Sequence, residues 1–305
     1  AESKARLASA RGKLLAAREQ RIWPGRDEKV LASWNALMIR GMARAARVFD
    51  EPAWLASAQR AADFIRSAMW RDGRLLATCK DGKAHLNAYL DDHAFLLDSL
   101  LELMQTEFRI SDLEFARELA ELLLAQFEDR AHGGFFFVSH DHEKLIHRAK
   151  PGHDNATPSG NGVAAIALQR LGHLVGEPRY IAAAERALRL FYPALAQSPG
   201  GFVSLATALD EWLAPPSIVI LRGPAGALGE WQRALAATYR PDTLVIALPP
   251  EITRLPPALD KPSPGSAAAP VTAWLCRGVS CLPPIIDREA LARALNADQT
   301  LSRQS

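Results

Sequence analysis

Cysteine is nearly absent from this chain: only Cys79, Cys276 and Cys281 occur among 305 residues. So low and odd a count is no disulfide framework and points to a reducing compartment, read here as the cytoplasm. Also lacking is any apolar run near the roughly 18–20 residues that cross a bilayer, which excludes a membrane partner through a spanning helix. No signal peptide is visible. The first residue is Ala1 rather than methionine, so the native N-terminus is expected upstream.

A surplus of one charge is missing too. Lys and Arg number 36 against 34 Asp and Glu, a net charge of +2. Arginine outnumbers lysine 28 to 8, but the arginines are scattered along helix faces. No nucleic-acid partner is therefore expected. At 49% hydrophobic and 23% charged residues, the composition is that of a globular protein large enough for one large domain or two ordinary ones. Cys276 and Cys281 form a C-x4-C pair with no second pair and no clustered histidine beside it. That spacing makes no zinc site, and the two read as strand-end cysteines without chemistry.

What the chain does have is a threefold echo. Three polar clusters each head a long apolar helix: Asp27-Glu28-Lys29 leading to Trp34-Asn35, Tyr89-Leu90-Asp91-Asp92-His93, and Asp154-Asn155-Ala156-Thr157-Pro158-Ser159-Gly160-Asn161. With Asp27, Asp91 and Thr157 as helix starts, the intervals are 64 and 66 residues. A period in this range means a repeated supersecondary unit stacked on its neighbours.

Three helical hairpins follow from the apolar spacing, over 27–70, 91–127 and 157–195. Pro52 and Pro178 suit first helical turns after the breaks at Asp50-Glu51 and Gly176-Glu177. Ser111 and Glu114 have the spacing of a capping box. Residues 74–79 and those after Lys83 read as a short β-hairpin. His132-Gly133-Gly134-Phe135 occupies the matching turn-plus-strand place in the second unit. A further helix is expected over 205–213. Beyond Pro216 the pattern becomes strand (217–221), helix (226–239), strand (243–248), loop (249–270), strand (271–276) and helix (287–295). The fold class is thus mainly α: an α/α toroid of about three hairpins over 1–215, with a small α/β appendage over 216–305. Closed toroids of this kind need six hairpins, so this is a partial ring. Its open flanks call for a missing half or self-association.

Each polar cluster admits two readings. Asn35 falls on the stripe Leu31, Asn35, Met38, Met42, where its amide either bonds a neighbouring helix or faces a ligand. Trp34 is either core or a ring on which a sugar stacks. Asp91 and Asp92 stand at a helix start, where unpaired N–H groups favour carboxylates, and one of them is expected to be only a cap. His93 shares a face with Leu97 and Leu100, and an Asp beside a His at a cavity mouth suits acid–base chemistry. Asn155, Ser159 and Asn161 either satisfy helix N–H groups or hold a ligand. Gly160 and Gly162 lower helix propensity, and are useful where a partner helix or ligand comes close. His132, His140, His142, His147 and His153 cluster in one loop, but their spacing matches no compact ligand pair, so they are read as solvated and no metal is expected. Arg222-Gly223-Pro224-Ala225-Gly226 lacks the spacing and lysine of a phosphate loop and reads as a tight turn.

The runs Lys29 to Ile39, Tyr89 to Leu96 and Asp154 to Asn161, together with Cys276…Cys281-Leu282-Pro283-Pro284, resemble the family of spermatogenesis-associated, thioredoxin-domain proteins, in the family's order and over essentially the whole chain. The resemblance implies a thioredoxin-like domain followed by a six-hairpin, glycosidase-like toroid similar to N-acylglucosamine 2-epimerases and mannose isomerases. Against that pattern, the thioredoxin-like domain and the first three hairpins are expected to lie outside this sequence. It also implies that Trp34, Asn35, Asp91, Asp92, His93, Asn155, Ser159 and Asn161 line the cavity. The leading expectation is a sugar-binding or sugar-active toroid with epimerase- or isomerase-like acid–base chemistry and no cofactor. In it, His93 carries the proton and Asp92 is its partner acid. Trp34, Asn35, Asp91, Asn155, Ser159 and Asn161 hold the carbohydrate. The alternatives are a non-catalytic scaffold serving a thioredoxin-like domain in redox or protein quality control, and a glycoside hydrolase, which needs a second carboxylate about 5–10 Å from the first.

Overall fold

The computed structural model describes residues 2–264, 270–278 and 280–302. It opens on α1 (Glu2–Glu19), none of whose residues is buried. The first hairpin follows: β1 (Val30–Leu31), α2 (Ala32–Phe49) and α3 (Pro52–Phe64), the last running on as a π-helical turn to Met69. A small antiparallel sheet of β2 (Trp70–Arg71), β3 (Arg74–Lys80) and β4 (Lys83–Asn87), with β3 also pairing β1, leads to the second hairpin. This is α4 (Leu90–Thr106) and α5 (Ile110–Leu122), again with a π turn, ending at Phe127. The third is α6 (Gly160–Val175) and α7 (Pro178–Gln197), and α8 (Val203–Leu213) adds a seventh helix to the array of α2–α8.

The α/α toroid plan is present. Helices α2, α4, α6 and α8 lie side by side in that order, and α3, α5 and α7 back them. The inner helices are apolar nearly all round: α4 is buried from Asp92 to Gln105 and α6 from Gly160 to Gly172. A helix hydrophobic on every side belongs inside a second layer. The breaks fall where Pro52 and Pro178 open helices, and where Asp50 (φ 55°) and Gly176 (φ 72°) close the preceding ones in the left-handed conformation.

Three details differ from the sequence reading. The inner helices start at Ala32, Leu90 and Gly160, so the intervals are 58 and 70 residues rather than 64 and 66. Asp27 is exposed and lies before the helix, not at its cap. The repeat is uneven because 128–159 is a long irregular loop, where the turn plus strand expected at 132–137 shrinks to one bridge, Glu128 to Phe135. The capping box at Ser111 is also displaced: α5 begins at Ile110 with Arg109 as its cap, which puts Ser111 inside the first turn. Finally, α2 buries Ala32, Ala36, Ile39, Ala43 and Ala46, while Met38 is exposed. Small side chains let α2 approach α4 closely, so the alanines and not the methionines form the buried stripe.

The chain changes character at Ser217. There β5 (Ser217–Arg222), α9 (Ala225–Ala236) and β6 (Thr243–Leu248) form a parallel unit. The strands β7 (Thr272–Arg277) and β8 (Ser280–Cys281) extend it antiparallel in the order β6-β5-β7-β8, and α10 (Arg288–Ser302) follows. Residues 265–269 of the expected loop lie outside the described residues. One sheet face, with Ile218, Ile220, Leu244, Ile246 and Trp274, joins the helical core. The other, with Val219, Leu221 and Leu275, packs on Leu228, Leu235, Leu291 and Leu295 of α9 and α10. Gln232 donates to the carbonyls of Gln105 and Thr106 at 3.2 Å, so the appendage caps the C-terminal end of α4. The N-terminal ends of the inner helices form the opposite mouth.

Candidate functional site

Two carboxylates tie that mouth together. Asp92 Oδ2 accepts the backbone amide of Tyr89 at 2.8 Å, capping its own helix, and Oδ1 accepts the amide of Ser33 in the first turn of α2 at 2.9 Å. Asp154 repeats the device two steps along the ring. Its Oδ1 accepts the amide of Ser159 at 2.7 Å and the hydroxyl of Ser204 at 2.5 Å, and its Oδ2 accepts the amide of Ser204 at 2.8 Å. The first brace joins α2 to α4 and the second joins α6 to α8. Each places negative charge where helix N–H groups are unpaired. Burial drives the Asp92 pKa up, and the amides that bond its carboxylate offset only part of that.

Asp91 sits between the two braces and is bonded to neither. Its Oδ1 is buried without a hydrogen-bond partner and lies against Gly160, the first residue of α6, where a Cβ would overlap it. Gly162 likewise yields space to Ser204. The close approaches expected of these two glycines are thus made by an aspartate and a serine of neighbouring segments. Burial, and secondarily the charge of Asp92, raises the Asp91 pKa to about 6.

His93 faces inward, one position further on. Its Nδ1 lies 2.9 Å from the Tyr89 carbonyl, and its ring is 4.8 Å from that of Phe127. The carbonyl fixes the tautomer with the proton on Nδ1, which leaves Nε2 a buried acceptor without a donor. Burial lowers its pKa to about 4 against the pull of that hydrogen bond, so the ring is neutral at pH 7.

The remaining expected residues divide. Ser159 caps α6, accepting the Gly162 amide at 3.0 Å. Asn161 is wholly buried: its Oδ1 accepts the Phe135 amide at 2.7 Å, and its Nδ2 donates to the carbonyls of Phe135 at 2.9 Å and Pro151 at 2.8 Å. Both have the structural role that was one of their two readings. Asn35 donates to the carbonyl of Leu31, the residue that caps its own helix, at 2.8 Å. Trp34 is 65% exposed, which excludes its being core. Asn155 is exposed in the loop before α6 and folds its Oδ1 onto the Ala156 amide. Asp154 and Ser33 were not singled out. The signal for Asp154 was its place at the head of a cluster ending in Ser-Gly-Asn-Gly, a helix start too glycine-rich to hold without an outside acceptor.

Below the mouth the inner helices alternate in charge. Asp98 of α4 takes Arg40 of α2 at 2.6 Å and Arg170 of α6 at 3.7 Å, and Arg170 pairs Glu211 of α8 through two bonds of 2.9 and 2.5 Å. Glu102 takes Arg47 at 2.5 Å. Burial alone would raise the Glu102 pKa, but Arg47, Arg44 and Arg40 outweigh it and hold it low. Each of these carboxylates is paired with arginine in place. Among the described residues, no three His, Cys, Asp or Glu side chains gather as a metal site requires, and no helix is long and apolar enough to cross a membrane.

No family model matches the chain. It is 27% identical over 301 residues to human spermatogenesis-associated protein 20, a match spanning 93% of this chain and 38% of the relative. With the rat protein of the same name it shares 31% identity over 210 residues, 65% of this chain and 26% of the relative. The chain therefore spans about two fifths or less of the curated relatives it matches. Among solved structures, the GH76 alpha-mannanase BT2949 of Bacteroides thetaiotaomicron superposes with a TM-score of 0.51 at 11% identity, over 70% of this chain and 58% of that one. That likeness supports the toroid fold.

Proposed function

We propose that this homologue of spermatogenesis-associated protein 20 contributes one side of a carbohydrate-active toroid mouth, and that Asp91 is its proton-transferring group. The observation that carries the reading is the state of the Asp91 carboxyl. It lies where the inner-helix N-termini meet, one oxygen lacks a partner, and a pKa of about 6 keeps both protonation states populated near neutrality. A general acid–base group works best with its pKa close to the operating pH. The proton-carrying role thus moves from His93 and Asp92 to their neighbour. His93 is closed in and neutral, and both Asp92 oxygens hold backbone amides, so these two fix the turn that presents Asp91.

One titrating carboxyl suits epimerase- or isomerase-like transfer of a proton at the carbon beside a sugar carbonyl. Hydrolysis needs a second carboxyl about 5–10 Å away, and Asp92 and Asp154 are both engaged by amides. In this reading the exposed Asn155 holds a sugar hydroxyl, and the indole of Trp34 is a stacking surface. The specific observation for the competing scaffold reading, in which the toroid serves a thioredoxin-like domain without catalysis, is that Asp92, Asp154, Ser159 and Asn161 all spend their polar groups within the chain.

The test is deuterium incorporation at C2 of reducing mono- and disaccharides in heavy water, with the full-length protein. Turnover that falls about 10²-fold or more in Asp91→Asn, with undiminished melting temperature, supports the proposal. No exchange with any sugar, or exchange untouched by Asp91→Asn, replaces it with the scaffold.

A further inference from the structure

The C-x4-C pair takes no part in the mouth. Cys276 and Cys281 are joined by a disulfide, contrary to the reading of two cysteines without chemistry. Cys79, 3% exposed on β3, is the third cysteine and is free.

The bridge adds little to the fold. It links residues five apart that already face one another across β7 and β8, where Cys276 pairs Cys281 and Arg277 pairs Ser280. Backbone bonds close the same hairpin beyond it: the Leu282 amide donates to Leu275 at 2.8 Å, and Ala273 and Ile285 exchange two bonds of 2.8 Å. A crosslink stabilises chiefly by closing a long loop in the unfolded chain, and this loop is short. The two sulfurs also differ in environment. Cys276 is 5% exposed on the sheet face that joins the helical core, whereas Cys281 is exposed on a two-residue edge strand. One end of the bond is open to attack and the other can leave into a held position.

We propose that Cys276–Cys281 is a thiol–disulfide exchange site whose co-reactant is a dithiol. A thiolate of the dithiol attacks Cys281 Sγ, the Cys276–Cys281 bond breaks, and Cys276 leaves as a thiolate that takes up a proton. The second thiol then attacks its own sulfur in the mixed disulfide, releasing Cys281 as a thiolate that is protonated in turn. Two electrons pass to the pair, and the dithiol becomes a disulfide. Cys281 is the sulfur attacked because access governs which end reacts. The hairpin survives reduction because its backbone ladder does not depend on the bond.

The experiment uses dithiothreitol on the intact chain. Thiols are counted by alkylation and mass, alongside near-ultraviolet circular dichroism. The expected result is two new thiols while the native spectrum persists, with the bond reformed by oxidised dithiothreitol. In the single variants, Cys281 of Cys276→Ser should react with dithiobis-nitrobenzoate about tenfold or more faster than Cys276 of Cys281→Ser. Reduction only as the fold melts overturns the proposal. So do two thiols that oxidised dithiothreitol fails to close, and equal reactivity of the two variants.

Discussion

Asp92 accepts the amide of Ser33 across 59 positions of sequence, and the same carboxylate caps the helix that carries it. One side chain therefore sets both the start of α4 and the distance of α2 from it. Asp92→Asn keeps the shape but turns an NH₂ toward one of two amide donors. It should cost about 1–3 kcal/mol in denaturant unfolding, and Asp92→Ala should cost no less. Loss below 0.5 kcal/mol for Asn would mean that water replaces the brace.

Much of this architecture was legible because it rests on local chemistry. The hairpins show in apolar spacing and in Pro52 and Pro178, and the change at Ser217 shows in a run of β-branched residues. The inner helices were harder to phase. On α2 the buried stripe is alanine, which packs by being small, while the larger Met38 lies outside. The helix α1 carries no apolar stripe and was not anticipated. That one of Asp91 and Asp92 is a cap was readable; which one was not, since the choice depends on Ser33 and Gly160, residues far along the chain from both.

Asp91 and His93 give opposite pH signatures. The folded pKa of Asp91, about 6, lies above the ordinary value near 4. Its contribution is therefore full below about pH 4 and is lost as pH rises through 6. Asp91→Asn mimics the protonated form and should raise stability by about 1–2 kcal/mol at pH 8, a figure reduced for the group's partial exposure, with little change at pH 4. A loss at pH 8 would show an unseen partner for the carboxylate.

For His93 the folded pKa of about 4 lies below the ordinary 6.5. Its contribution is full above pH 6.5 and is lost as pH falls through that value toward 4, by about 1–3 kcal/mol. His93→Asn keeps a donor for the Tyr89 carbonyl and removes the titration. Its stability should start lower, from lost packing, but lose this acid-dependent slope between pH 6.5 and 4. An unchanged slope would place the acid sensitivity elsewhere.

Asn161 makes three hydrogen bonds with one amide, holding the strand at Phe135 and the loop at Pro151 on α6. Asn161→Ala leaves these buried main-chain groups unpaired and should destabilise by about 2–4 kcal/mol. Asn161→Asp should be at least as damaging, because a carboxylate would face two carbonyls. If either variant melts like wild type and changes only sugar affinity, Asn161 is a ligand contact after all.

The last prediction concerns the flanks of the ring. On α2, Trp34, Met38 and Val48 are exposed. On α8 the open side carries Val203, Leu213 and the acidic Asp210. Exposed apolar helix faces of this kind favour association. We propose that a second copy of the chain covers the α2 flank through these apolar side chains. The chain should therefore dimerise in light scattering at tens of micromolar. The double variant Trp34→Lys with Met38→Lys should be monomeric, with unfolding free energy within about 0.5 kcal/mol of wild type, because neither side chain is in the core. A wild-type monomer at these concentrations, or a dimer indifferent to the double variant, would mean that the α2 flank is not the contact.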